Sequence, residues 1–155
     1  MKKVLLIGAS GYIGSELSKF LLKKNYELTE VDNLRRKSSV SKRSKNFFQV
    51  DYQSLDEDFL NSHDDCIWLA GHSSVKDSLD EPKNALNNNF YDLINLREKF
   101  KNRLIYASSG SVYSRDKAEY SDETSPTMIP NNIYDFTKIS FDNYLISSEK
   151  KGVGL

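Results

Sequence analysis

Two tyrosine–lysine pairs in this chain have a spacing that places a phenol and an amine one helical turn apart. They are Tyr113 with Lys117 and Tyr134 with Lys138. A phenol ordinarily titrates near pH 10, and a fixed ammonium group beside it stabilises its anion, so such a pair can take part in proton transfer. With nine tyrosines in the chain, chance alone accounts for about one such pair, so the surroundings must decide between them.

The surroundings favour the second pair. Tyr113 leads into a polar stretch that has the composition of a loop. Tyr134 begins a segment in which Tyr134, Lys138 and Phe141 share one face of a predicted helix, together with Leu145. We therefore predict that Tyr134 is a proton acceptor and that Lys138 stabilises its anion. The alternative is an amphipathic core helix whose lysine reaches out to solvent.

A glycine-rich turn lies near the start of the chain, in the sequence KVLLIGASGYIG from Lys3 to Gly14. The glycines follow an apolar run and precede an amphipathic series, which is the order strand, tight turn, helix. Gly8 permits a sharp turn, Gly11 removes a side chain where a diphosphate would approach, and Gly14 allows close packing of helix on strand. The diphosphate would lie on the N–H groups at the helix start. We assign this site to Gly8, Gly11, Tyr12, Ile13 and Gly14.

Acidic residues follow the next two predicted strands. Asp32 is placed to bind the adenosine ribose hydroxyls of a dinucleotide, with Asn33 beside it. Asp51 and Tyr52 follow a short strand that begins at Phe47. Asp51 would bond the adenine amino group or, alternatively, cap the start of a helix.

Basic residues close to Asp32 bear on the identity of the dinucleotide. Arg35 and Arg36 would suit a 2'-phosphate and hence NADP. The Asp32 carboxylate would repel that phosphate, so we expect NAD rather than NADP. Solvent-exposed arginines are the alternative for both positions.

Apolar runs alternate with helical patterns, which predicts an α/β fold with a doubly wound parallel sheet and helices on both faces. Ligands of such folds lie beyond the carboxyl ends of the strands, where Leu69, Ala70 and Gly71 would line the far side of a dinucleotide. The predicted strands after the first are Glu27–Asp32, Phe47–Val50, Cys66–Gly71 and Leu104–Ser109. The predicted inward faces are Ile13, Leu17, Phe20 and Leu21 on the first helix, and Leu86, Phe90, Leu93 and Leu96 on a helix from Asn84 to Phe100.

Composition narrows the range of partners. Basic and acidic residues both number 22, so no overall field favours nucleic acid or an acidic membrane. The single cysteine, Cys66, lies in an apolar run and is expected to be a buried, inert thiol of a cytoplasmic protein. His63 and His72 are too isolated for a metal site, so we expect surface or loop positions, with a contact of His72 near the cofactor as the alternative. No apolar stretch approaches the length of a membrane helix.

Taken in order, the motifs resemble the extended short-chain dehydrogenase/reductase family, and within it the NAD-dependent epimerase/dehydratase branch that acts on nucleotide sugars. The resemblance implies an NAD-binding Rossmann domain over residues 1–155, with Ser109, Tyr134 and Lys138 as catalytic residues and a nucleotide sugar as substrate. The matching pieces are GASGYIG, VDNL at Val31–Leu34, LAG at Leu69–Gly71, an asparagine after Pro82 that we assign to Asn89, YASSGSVYS at Tyr106–Ser114, Pro130, and YDFTK at Tyr134–Lys138.

The resemblance also implies a division of roles. Ser109 would share the substrate hydroxyl with Tyr134, while Lys138 would hold the nicotinamide ribose. Sugar dehydratases carry acidic residues where this chain has Gly110 and Ser111, which favours an epimerase or a simple reductase. In an epimerase the tyrosine takes a proton from a sugar hydroxyl while hydride passes to NAD, and the ketone is then re-reduced on its other face.

The chain departs from the family pattern at Ser114, Asp135 and Phe136, where glycine or small residues are usual. The family also continues past Leu155 with a further strand and a smaller substrate domain, so we expect that C-terminal domain to be absent here. The alternatives to a nucleotide-sugar epimerase or related oxidoreductase are a non-catalytic dinucleotide-binding module and a dimerising fragment without a substrate domain. An uncovered sheet edge beside the fifth strand would favour a homodimer.

Overall fold

Strands and helices alternate along the chain, as the apolar pattern predicts. The computed structural model describes residues 1–35, 44–113, 121–122, 125, 127–148 and 150–155. The strands are β1 (Lys3–Ile7), β2 (Glu27–Val31), β3 (Phe47–Phe48), β4 (Asp65–Trp68), β5 (Arg103–Tyr106) and β6 (Gly152–Gly154). The helices are α1 (Tyr12–Lys23), α2 (Glu57–Asn61), α3 (Val75–Asp80), α4 (Pro82–Leu86), α5 (Asp92–Lys99) and α6 (Ile133–Ser148), with a π-helical turn at Asn87–Tyr91 and 3-10 turns at Tyr52–Ser54 and Gly110–Val112.

The described strands form one parallel sheet in the order β3-β2-β1-β4-β5-β6. Strand β1 pairs with β2 on one side and with β4 on the other, and its residues from Val4 to Ile7 are buried. The chain therefore winds outward from β1 in both directions, and the point at which it changes direction lies between β1 and β4. This is the Rossmann-type order, so the predicted doubly wound parallel sheet is confirmed.

Several strands are shorter than the apolar runs predict. The pairing of β2, β4 and β5 stops before the predicted limits of Asp32, Gly71 and Ser109, and β3 stops at Phe48 instead of Val50. The small and polar residues at the ends of these runs leave the sheet and form loops at its carboxyl edge. That is where ligands bind in open parallel sheets.

The chain divides into two compact units. The first comprises Met1–Gly71, Asn95–Ala107 and Lys151–Gly154, and it contains the whole sheet. The second comprises His72–Ile94, Ser108–Lys150 and Leu155. No helix within the described ranges is both long enough and apolar enough to cross a membrane.

Helix α1 turns a different face to the core from the one predicted. Ile13 and Phe20 are 60% and 54% exposed, whereas Gly14, Ser18 and Leu21 are buried. Two of these three inward residues are small, which brings the helix axis close to the sheet and turns the larger neighbouring side chains outward. The prediction of an inward Ile13 and Phe20 was therefore wrong, because it followed apolar character alone.

His63 lies in the loop between α2 and β4, as one of the two expected positions has it, but its side chain is buried and not on the surface. It is 6% exposed. Its Nε2 atom lies 2.9 Å from Thr29 Oγ1, and its Nδ1 atom lies 3.0 Å from the carbonyl oxygen of Phe59. These partners satisfy both ring nitrogens, which allows the imidazole to be buried.

Asp65 and Cys66 are consecutive residues of β4, and both have buried, titratable side chains. Burial raises the pKa of the Cys66 thiol, so the predicted buried and inert cysteine is confirmed. Burial alone would also raise the pKa of Asp65, but hydrogen bonds from Arg103 and Lys2 outweigh it and hold that pKa below its ordinary value. The Arg103 guanidinium binds both Asp65 oxygens at 2.9 Å, and the Lys2 ammonium lies at 2.7 Å.

The sheet continues beyond β5. Strand β6 pairs with β5 in parallel, from Gly152 opposite Leu104 to Gly154 opposite Tyr106. The buried Arg97 side chain helps to hold it, since its Nη1 atom donates to the carbonyl oxygens of Asn102 and Lys151, each at 2.7 Å. The expectation of an uncovered edge beside the fifth strand was therefore wrong.

In the second unit, α6 packs against α4 and the π-helical turn. The predicted helix from Asn84 to Phe100 is present, but the π-helical turn interrupts it. Leu93 and Leu96 are buried as predicted, whereas Leu86 and Phe90 are only partly buried. The π-helical turn carries the buried side chain of Asn89, and such turns are rare and concentrate at functional sites.

Candidate nucleotide-binding and catalytic residues

The glycine turn between β1 and α1 has no room for side chains. Gly8 has a φ of +86°, and a Cβ atom there would lie 2.6 Å from the backbone nitrogen of Ala70. A Cβ at Gly14 would lie 2.1 Å from the carbonyl oxygen of Gly8. Both contacts are shorter than real carbon atoms allow, so the sharp turn and the close packing predicted for these glycines are present.

The start of α1 fits a diphosphate. Gly11 is the N-cap residue and makes no side-chain cap. The N–H of Ser15 donates to the carbonyl oxygen of Gly11 at 2.9 Å, so the helical ladder starts there and the N–H groups of the first turn have no partner within the helix. Those N–H groups, with the positive end of the helix dipole, suit a bound anion. The Tyr12 side chain is 90% exposed and leaves this backbone uncovered.

Asp32 is held rigidly at the end of β2. Its Oδ2 atom accepts the N–H of Ser10, within the glycine turn, at 2.8 Å. Its Oδ1 atom accepts the N–H of Leu34 at 2.8 Å, and Leu34 adopts a φ of +57°. Each oxygen keeps a further lone pair, so the carboxylate can still accept from a diol such as the ribose hydroxyls.

Asp51 acts as a cap in this structure, one of the two roles considered for it. Its Oδ1 atom accepts the N–H of Gln53 at 3.2 Å, at the start of the 3-10 turn. Its Oδ2 atom accepts from Asn33 Nδ2 at 3.0 Å and lies 3.5 Å from Arg35 Nη2. Arg35 is thus directed toward Asp51, while Arg36 lies outside the described residues. An adenine contact of Asp51 stays a prediction.

The segment after β4 lies against the glycine turn. The N–H of Leu69 donates to the carbonyl oxygen of Ile7 at 2.8 Å, which places Leu69 and Ala70 beside Gly8. Tyr52 is different, because its ring is buried edge-on to Trp68 with the ring centroids 6.2 Å apart. The first unit thus brings together the glycine turn, Asp32 and the β4 loop at one end of the sheet, whereas the Tyr52 side chain belongs to the core.

The second unit holds the tyrosine–lysine pair. Lys138 Nζ lies 5.6 Å from the centroid of the Tyr134 ring, on the same face of α6. Lys138 is 4% exposed, and this burial lowers its pKa to about 8, with Asp142 acting in the opposite direction. The amine is therefore fixed beside the phenol and is still mostly charged at neutral pH. Tyr113 forms an isolated bridge with Thr127, and its predicted partner Lys117 lies outside the described residues.

Ser109 begins the turn that contains Gly110 and Ser111. Its Oγ atom accepts the N–H of Ser111 at 3.2 Å and lies 2.8 Å from Ser111 Oγ. The Ser111 hydroxyl donates in turn to Asp135 Oδ1 at 2.7 Å. Ser111 thus connects the Ser109 hydroxyl to a carboxylate of another element, α6.

Asn89 and Asp135 are two further buried polar residues of the second unit, and local sequence patterns did not predict a role for either. Asn89 Oδ1 accepts the N–H of His72 at 2.7 Å, and Asn89 Nδ2 donates to the carbonyl oxygen of His72 at 2.9 Å and to Thr137 Oγ1 at 3.3 Å. Only the family resemblance marked Asn89. Asp135 was noted as a departure from the family pattern, and it is 5% exposed. A polar residue on the inward face of a predicted helix is the signal that marks both.

A parallel sheet of this order, with a glycine turn where the winding changes direction, defines the class of Rossmann-type proteins. Residues 4–155 match the NAD dependent epimerase/dehydratase family, and the chain belongs to that family.

Curated relatives and solved structures agree with this assignment. The chain is 30% identical to UDP-glucose 4-epimerase 2 of Oryza sativa subsp. japonica over 90% of its own length and 38% of that protein. It is 28% identical to Protein CapI of Staphylococcus aureus over 89% of its length and 47% of that protein. The UDP-glucose 4-epimerase of Thermus thermophilus, solved in complex with NAD, superposes with a TM-score of 0.82 at 28% identity, covering 98% of this chain and 53% of that one. The chain thus spans about half the length of these proteins or less.

Proposed function

We propose that residues 1–155 form the cofactor-binding and catalytic portion of an NAD-dependent nucleotide-sugar epimerase. The observation that carries this proposal is the fixed Lys138 ammonium beside the Tyr134 ring, in a chain of the epimerase/dehydratase family. The glycine turn and Asp32 support the choice of cofactor, because the N–H groups of the first turn of α1 suit a diphosphate and the carboxylate disfavours a 2'-phosphate.

In the proposed reaction Tyr134 takes the proton of a sugar hydroxyl. Tyr134 is a phenolate before this step, stabilised by the charge of Lys138, and becomes a neutral phenol when it takes the proton. Lys138 also holds the nicotinamide ribose, while Ser109 forms a hydrogen bond with the same sugar hydroxyl. NAD, when bound, accepts a hydride from the carbon of that hydroxyl and returns it. Tyr134 gives its proton back to the sugar oxygen when the ketone is reduced on the opposite face, so protons and electrons balance over the cycle.

Gly110 and Ser111 favour epimerisation over elimination. Elimination of a sugar hydroxyl needs a separate acid and base close to the catalytic hydroxyl. In this chain Gly110 has no side chain, and the Ser111 hydroxyl already donates to Asp135. A simple reductase uses the same residues, and release of a keto sugar would distinguish it from an epimerase.

The test is single-turnover reduction of NAD by UDP-glucose, followed through the absorbance of the reduced nicotinamide. Tyr134→Phe removes the proton acceptor and should lower the rate by roughly a hundredfold or more. Tyr113→Phe is the matched control and should leave the rate close to that of the wild type. Equal losses in both variants would contradict the assignment of the base.

A non-catalytic dinucleotide-binding module is the second candidate. The observation in its favour is that the first unit by itself holds the glycine turn and Asp32, which dinucleotide binding needs. It predicts saturable NAD binding without any UDP-glucose-dependent reduction of the nicotinamide. Reduction by the chain alone would reject it.

A further inference from the structure

A continuous row of hydrogen bonds links the Ser109 hydroxyl to a buried carboxylate. Ser109 Oγ lies 2.8 Å from Ser111 Oγ, and Ser111 Oγ lies 2.7 Å from Asp135 Oδ1. The second carboxylate oxygen of Asp135 accepts from Asn132 Nδ2 at 2.7 Å. All four residues belong to the second unit.

The direction of these hydrogen bonds follows from the carboxylate. An ionised carboxylate can only accept, so the single hydroxyl proton of Ser111 is committed to Asp135. Ser111 Oγ can then act only as an acceptor toward Ser109, which makes Ser109 the donor of the bond between them. The Ser109 proton is therefore directed at Ser111 Oγ, and the Ser109 oxygen, which also accepts the N–H of Ser111, keeps one lone pair.

We propose that Asp135 is a positioning residue that acts through Ser111 to make the Ser109 hydroxyl a hydrogen-bond acceptor toward the substrate. This inference rests on the proposed function, in which Ser109 meets a sugar hydroxyl. While Tyr134 still carries its own proton, the sugar hydroxyl can donate to Ser109, so an acceptor at Ser109 matches the alcohol form of the sugar. It does not match the ketone, which offers no proton. The row of hydrogen bonds thus sets a preference for the alcohol over the keto intermediate.

Helix capping accounts for only part of this arrangement. Asn132 Oδ1 accepts the N–H of Asp135 at 2.9 Å and so caps the start of α6, and Asn132 Nδ2 donates to Asp135 Oδ2 at 2.7 Å. Capping does not require the other oxygen, Oδ1, which is directed at Ser111. The two functions use different atoms and can be separated by substitution.

Asp135→Asn should reverse which group donates and which accepts in each hydrogen bond of the row, while the bonds themselves are kept. The new carbonyl oxygen can accept from Asn132, and the new amide can donate to Ser111 Oγ. The Ser111 hydroxyl can then donate to Ser109 Oγ, and the Ser109 hydroxyl is free to donate to the substrate. Ser111→Ala removes the connection and leaves both hydrogen bonds between Asn132 and Asp135 intact.

The first experiment measures the exchange of serine hydroxyl protons with water by NMR on the ligand-free chain. The wild type should show a slowly exchanging Ser109 proton, and this protection should be lost in both Asp135→Asn and Ser111→Ala. Asn132→Ser, which weakens only the cap, should preserve it, and amide spectra verify that each variant is folded. An exchange rate of the Ser109 proton that is the same in all four proteins would overturn the proposal.

The second experiment compares the affinities of UDP-glucose and its 4-keto counterpart for the NAD-loaded chain. Asp135→Asn should shift the affinity ratio toward the ketone by roughly tenfold, and the shift should vanish in the Ser111→Ala background. Equal weakening of both sugars would indicate capping alone and overturn the proposal. If the wild type binds neither sugar, the proposed function fails, while the exchange measurement still decides the direction of the hydroxyl row.

Discussion

At the scale of single residues, the burial of Lys138 determines the pH range in which its amine is charged. Its burial on α6 lowers its pKa to about 8, whereas an unperturbed lysine titrates near 10.4. The side chain is charged below about pH 8 and can then stabilise a neighbouring phenolate. Above that pH the amine is neutral and the stabilisation is lost.

The rate of NAD reduction by UDP-glucose should therefore fall as the pH rises through about 8. Lys138→Arg keeps the positive charge, because an arginine stays protonated up to roughly pH 12, so in a variant that still binds NAD the loss should move to higher pH. Lys150→Arg is the control substitution, because the Lys150 side chain is only partly buried. If the rate fell over the same alkaline pH range in the wild type and in Lys138→Arg, a group other than Lys138 would be responsible for the fall, and the prediction would be wrong.

Local sequence patterns identified some of these residues and missed others for a physical reason. Tyr134 and Lys138 lie one helical turn apart, so their proximity follows from helix geometry. The bond between Ser111 and Asp135 and the burial of His63 against Thr29 depend on contacts between distant parts of the chain. No local pattern encodes such contacts.

At the scale of elements, the glycine turn and α1 show why residue size matters as much as hydrophobicity. A Cβ at Gly14 would lie 2.1 Å from the carbonyl oxygen of Gly8, so the helix lies almost on the turn. The positions of the glycines predicted this contact. The inward face of α1 was not predicted correctly, because the helix packs through Gly14 and Ser18 and exposes Ile13.

Gly14→Ala should push α1 away from the turn and lower the free energy of unfolding by about 1–3 kcal/mol. Gly110→Ala is the matched control, because a Cβ there would meet no atom within 4 Å. That control should change stability by less than about 0.5 kcal/mol. Urea denaturation of the two variants gives the comparison, and equal stability of both would contradict the close packing.

At the scale of the whole chain, the sheet order was predictable because strands and helices alternate, and parallel strands connected by helices have few possible arrangements. Strand β6 was missed as a partner of β5, since a strand as short as Gly152–Gly154 has too few residues to show a pattern. The buried Arg97, which binds the carbonyl oxygen of Lys151, supplies the missing contact. A homodimer stays a prediction.

The chain covers about half or less of the length of the relatives described above, yet the first unit contains the glycine turn, Asp32 and the residues Leu69, Ala70 and Gly71 that follow β4. We therefore expect the chain to bind NAD without any further domain. In the proposed site the ribose hydroxyls donate to the Asp32 carboxylate. Hydrogen bonds to a charged group are worth roughly 1.5–3 kcal/mol, so removal of Asp32 should weaken binding by about tenfold or more.

Isothermal titration of the 155-residue chain with NAD is the most direct test of this account. Saturable binding is expected, clearly weaker in Asp32→Ala and unchanged in Asp58→Ala, a substitution at an exposed position of α2. Absence of NAD binding by the wild type, or equal affinity in the wild type and Asp32→Ala, would contradict a dinucleotide site at the glycine turn.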